Sequence, residues 1–61
     1  MKSNIREFFK TLNICDVMAN KKELFIIVYC YDNIEVKLNY GSYGGLSKDL
    51  LFLNKIRRNE I

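Results

Sequence analysis

Leu24-Phe25-Ile26-Ile27-Val28-Tyr29-Cys30-Tyr31, then Asp32-Asn33, then Ile34-Glu35-Val36-Lys37-Leu38-Asn39-Tyr40 is the stretch on which the fold turns. The first segment is rich in β-branched and aromatic residues, which fit a pleated, half-buried surface. Asp32-Asn33 tolerates positive φ, and the segment after it alternates strictly between apolar and polar. Together they predict a β-hairpin. A two-residue loop at Asp32-Asn33 would oppose Tyr31 with Ile34, Tyr29 with Val36, Ile27 with Leu38 and Phe25 with Tyr40. Side chains alternate along a strand, so those eight would share one face, expected to be the core. The other face would oppose Cys30 with Glu35, Val28 with Lys37 and Ile26 with Asn39. A face apolar on one strand and polar on the other leaves Leu24, Ile26 and Val28 as an expected oligomer interface.

Upstream, residues 4–13 read as an amphipathic helix. Ile5, Phe8, Phe9 and Leu12 follow the i, i+3, i+4, i+7 pattern, and Asn4 with Glu7 forms a capping box. Ile14 and Val17 fall off that stripe. Either the helix ends near Asn13 or Ile14–Met18 is a short strand, with Ala19-Asn20-Lys21-Lys22 as a turn. Downstream, Gly41-Ser42-Tyr43-Gly44-Gly45 reads as a flexible turn, followed by a helix over roughly Lys48–Arg58 with Ser47 as its N-cap. Leu46, Leu50, Leu53, Phe52 and Ile56 supply the apolar arc of that helix. The expected fold is therefore α+β in a single domain, residues 1–61: an N-terminal helix, a two- or three-stranded antiparallel sheet built on the hairpin, and a C-terminal helix.

At 61 residues, a chain buries only about 60% of its unfolded surface. Ordering costs on the order of 1.5 kcal/mol per residue and nearly cancels that burial. Such folds usually need a staple. Two cysteines and no histidine fall short of the four ligands of a structural zinc site. Lys10 and Cys15-Asp16 interrupt any apolar export segment after Met1-Lys2, and the run Leu24–Tyr31 is too short to span a bilayer. The expectation is a cytoplasmic protein with reduced thiols, no cofactor or metal, no membrane partner, and a homodimer or higher homo-oligomer as its staple.

The residue types argue against catalysis. There is no histidine to serve as a base near neutral pH. Cys30 lies inside an apolar strand, where a thiol is ordinarily inert, and no carboxylate pair is singled out by its spacing. The order strand, Gly41–Gly45, helix is that of a phosphate loop, but Lys48 follows Ser47 and Leu46 interrupts the Gly-Lys-Ser/Thr pattern. A strand-to-helix turn with a positive-φ glycine is expected there instead. On the last helix Lys48, Leu51, Lys55 and Arg58 fall within about 80° of arc, and Tyr43 sits nearby in the glycine stretch. These five are the expected partner-binding residues. Tyr29, Tyr31 and Tyr40, by the register above, belong to the core.

Asn, Lys and Ile occur seven times each, and their codons can be built almost wholly from A and T, as in low-GC bacteria and their phages. In size and composition the chain resembles the tiny accessory proteins of phages and mobile elements, often single α+β domains. That resemblance implies a non-enzymatic inhibitor or accessory factor that docks on a protein of a host complex, in the host cytoplasm; an anti-CRISPR or other anti-defence protein is one form. The alternative is a small nucleic-acid-binding regulator using the basic helix face. Its formal net charge of +3 and pI of about 9.0 are compatible with either.

Overall fold

The computed structural model describes residues 5–61. Its elements run α1 (Ile5–Lys10), β1 (Ile14–Asn20), β2 (Phe25–Cys30), β3 (Glu35–Asn39) and α2 (Tyr43–Arg57). The strands form one antiparallel sheet in the order β1-β2-β3. This is the expected α+β architecture, with the third strand present.

The hairpin loop has three residues rather than two. The Asn33 N–H donates to the Cys30 carbonyl at 3.1 Å, and Asn33 takes φ 66°. That is a tight turn followed by one left-handed residue, a standard three-residue hairpin solution. Asn adopts that conformation more readily than most residues. The extra residue shifts the ladder by one, so Val28 opposes Val36, Ile26 opposes Leu38 and Tyr29 opposes Glu35. A one-residue slip turns every side chain of a strand to the other face. The expected core face is therefore reversed. Ile26, Val28 and Cys30 point into the core, while Phe25, Ile27 and Tyr29 lie half-buried on the opposite side and Tyr31 is exposed.

β1 escapes simple alternation because it carries a bulge. Ile14 opposes Cys30, and the register then shifts so that Asp16 opposes Tyr29 and Val17 opposes Val28. The inserted residue lets Ile14 and Val17, three apart in sequence, serve the same side of the sheet. The following turn is held by the Asn20 carboxamide oxygen, which accepts from the N–H groups of Lys22 and Glu23 at 3.1 and 2.8 Å.

The helices pack on one face of this sheet. α2 lies across β1 and β2, and α1 packs against α2. The core is Phe9, Ile14, Ile26, Val28, Cys30, Leu46 and Leu53, with Leu24, Val36, Leu38 and Phe52 among its partly buried partners. α1 is shorter than expected. It closes at Lys10, where Thr11 donates its N–H to the Phe8 carbonyl at 3.0 Å and its hydroxyl at 2.6 Å. Phe9 is its buried residue, stacked at a tilt on Phe52, and the Arg6 guanidinium covers the Phe52 ring at 4.7 Å. Asn4, expected to cap α1, lies outside the described residues.

α2 begins five residues earlier than Lys48–Arg58. Ser42, not Ser47, is its N-cap, and its hydroxyl accepts from the Gly45 N–H at 3.2 Å. Tyr43, Gly44 and Gly45 form the first turn, and no glycine has positive φ. The expected flexible turn is thus mostly helix. Tyr40, just past β3, donates its hydroxyl to Asp49 of α2 at 2.6 Å and fastens the helix to the sheet. Arg57 reaches Asp16 of β1 at 3.7 Å.

Candidate functional site

With one face of the sheet buried, the outward side of α2 and the open face of the sheet are left exposed. On α2, Leu46 and Leu53 are fully buried. Helical spacing then sends Lys48, Leu51, Lys55 and Arg58 outward, and all four are exposed. Leu51 is 56% and Tyr43 54% exposed. Tyr43 stands in the first turn of α2 and belongs to the same helix as the basic residues, not to a separate loop. Four of the five residues expected at a partner site therefore lie in α2, and the fifth, Arg58, is its C-cap.

The charges of that stripe are not equivalent. Arg58 donates through Nε to Glu60 at 2.8 Å, and each group holds the other in its charged form: hydrogen bonding to Glu60 raises the Arg58 pKa, and the bond from Arg58 lowers that of Glu60. Among the described residues, Lys48 and Lys55 enter no ion pair. The two lysines are the part of the stripe with charge to offer a partner.

Leu24, Ile26 and Val28, expected as an oligomer interface, are not on a free surface. Ile26 and Val28 have no exposure and Leu24 packs against the same core. The register shift that turned them inward is the reason.

Sequence reasoning missed the open sheet face. It is a grid of three rows: Asp16, Tyr29 and Glu35; Met18, Ile27 and Lys37; Asn20, Phe25 and Asn39. The middle column is apolar and both flanks are largely polar. The Lys37 ammonium sits 4.4 Å from the Phe25 ring centroid, and Met18 is 43% exposed. Counting Tyr31 into the loop would have revealed this face. At one end of the sheet a shallow depression of about 420 Å³ is lined by Cys15, Tyr29, Cys30, Asn33, Ile34 and Glu35.

Both thiols are free. Burial, then Asp32 and Cys15, pushes the Cys30 pKa up, which disfavours the reactive thiolate. Burial and the bond to Asp49 likewise raise the pKa of Tyr40. Among the described residues no group of three or more His, Cys, Asp or Glu is placed to hold a metal ion. Nor is any helix there long and apolar enough to cross a membrane.

Geometry defines a small two-layer α+β protein, with helices on one face of a three-stranded antiparallel sheet. The chain matches no protein family, no curated protein and no solved structure.

Proposed function

We infer that this protein acts without catalysis, by docking the outward side of α2 on a protein partner. The observation that carries the reading is Leu51, more than half exposed between Lys48 and Lys55 on the side of α2 away from the buried Leu46 and Leu53, with Tyr43 also exposed two turns earlier. A leucine flanked by Lys48, Lys55 and Arg58, with a tyrosine exposed on the first turn of the same helix, has the makeup of an apolar anchor with a polar rim. The setting proposed is that of an inhibitor or accessory factor from a phage or mobile element, acting in the host cytoplasm on a host complex, with an anti-CRISPR or other anti-defence role as one form.

A second reading has its own support in Lys48 and Lys55, whose charges are not compensated by ion pairs among the described residues. Such a stripe also suits phosphates. Salt and nuclease separate the two. For a protein partner, capture from a nuclease-treated low-GC bacterial lysate persists, changes little with salt, and is lost in a folded Leu51→Glu variant. Capture that vanishes with nuclease and falls steeply with salt supports the nucleic-acid reading instead. Capture unaffected by Leu51→Glu and by a Lys48/Lys55/Arg58→Ser triple variant rules out the α2 face.

A further inference from the structure

The free edge of β3 has a pattern that matches itself. The Cys30 N–H donates to the Ile34 carbonyl and the Tyr40 N–H to the Leu24 carbonyl, both at 2.9 Å. Ile34, Val36, Leu38 and Tyr40 therefore turn their backbone groups toward β2. In an antiparallel ladder the intervening residues point theirs the other way, so Glu35, Lys37 and Asn39 present N–H and C=O groups to an unpaired edge. Among the described residues no other element covers that edge: β3 packs against β2 alone, since α2 lies over β1 and β2. Ile34 is 51% exposed, and Val36 and Leu38 are only half-buried.

We propose that β3 is a homodimerisation edge, on which a second copy of this chain adds its own β3 antiparallel about a two-fold axis at Val36. A two-fold axis perpendicular to the sheet keeps each residue on its own face. That restricts the registers to those centred on a residue. Centring on Glu35 or on Lys37 sets like charges directly opposite one another, which is destabilising. Centring on Val36 places Glu35 opposite Lys37 of the second copy and Lys37 opposite its Glu35, two opposite-charge pairs on the open face. On the helix side Val36 meets Val36, and Ile34 meets Leu38 twice. The Glu35 and Lys37 positions are also the outward-facing ones, so backbone bonds and charge pairs fall in the same register.

The other edge of the sheet has no such pattern. β1 carries the bulge at Cys15 and Asp16, and Asp16 is engaged by Arg57. Bulges and charges are how edge strands resist pairing. On β3, by contrast, the central lysine has a matching acid two residues away. This dimer uses a surface distinct from the α2 face, so it stands or falls independently of the proposed docking function.

Sedimentation equilibrium of the full chain over about 1 μM to 1 mM, with circular dichroism to verify folding, tests the register. Wild type is expected to approach twice the 7.2 kDa chain mass. Glu35→Lys, which leaves Lys37 on Phe25, and Lys37→Glu should each raise the dissociation constant at least tenfold. An equimolar mixture of the two variants should form a mixed dimer, and the double exchange Glu35→Lys/Lys37→Glu should restore self-association. A folded wild type that is monomeric throughout overturns the proposal. So does a wild-type dimer indifferent to both single substitutions, or a mixture of folded variants that fails to pair.

Discussion

Ile26 and Ile27 are adjacent, chemically identical and on opposite faces of β2, which makes them the sharpest probe of the register. Ile26 has no exposure and opposes Leu38, while Ile27 lies half-buried on the open face between Met18 and Lys37. Truncating a fully packed isoleucine to alanine costs about 2–5 kcal/mol, because the cavity adds to the lost transfer energy. Ile27→Ala loses only part of a burial worth about 1.5–3 kcal/mol when complete and leaves no enclosed cavity, so about 1 kcal/mol is expected. Native domains hold roughly 0.05–0.15 kcal/mol per residue. The Ile26→Ala loss therefore approaches the whole stability of this chain. Ile26→Val and Ile27→Val, at about 0.5–1.5 kcal/mol for the buried site, keep the comparison measurable if the alanine variant fails to fold. Urea titration followed by far-ultraviolet circular dichroism gives the midpoints, and a constant slope secures the comparison. If the Ile27 variants lose as much stability as the Ile26 variants, or more, the strand faces the other way and the three-residue loop is wrong.

Gly44 has no atom within 4 Å of the Cβ it lacks, and its φ is not positive, so Gly44→Ala should stabilise by about 0.4–1 kcal/mol, seen as a raised melting temperature. Tyr40→Phe should destabilise at neutral pH by about 1–2 kcal/mol, within the range for a hydrogen bond to a charged group reduced by partial exposure. Because the folded pKa of Tyr40 is raised above its unfolded value near 10, the stability it contributes is full below pH of about 10 and lost as pH rises further. Wild type should show a steeper alkaline decline than Tyr40→Phe. Cys30 should alkylate far more slowly than Cys15 in the native protein, since burial raises its pKa and shields it; equal rates by mass spectrometry would contradict its place in the core.

The existence of most elements was legible because it rests on local preference and periodicity. Ile5, Phe8 and Phe9 marked α1, the β-branched run marked β2, and strict alternation marked β3. What misled was parity. Asp32-Asn33 is a turn by composition under either loop length, and the inclusion of Tyr31 in the loop, visible only in the fold, decides between them. The same difficulty left β1 as one of two alternatives over Ile14–Met18, because a bulge at Cys15 and Asp16 spoils the alternation that a strand is recognised by. The stripe of Lys48, Leu51, Lys55 and Arg58 was readable because an outward arc follows from helical spacing alone.

Sequence by itself determined that this chain is α+β, that β2 and β3 are antiparallel, and that α2 has one basic side, since each follows from interactions within a few residues. Tertiary structure alone decided which face of β2 is buried. A strand with apolar residues on both faces offers Phe25, Ile27 and Tyr29 or Ile26, Val28 and Cys30 equally well to a core. The choice went to the narrower set when Phe9, Leu46 and Leu53 packed over it. It also decided where α2 starts. Ser42 and Ser47 are both competent caps, and the bond from Tyr40 to Asp49 ties the longer helix to the sheet. Packing from the other elements resolves alternatives that local chemistry leaves equal in energy, and with them it sets which side chains a partner can reach.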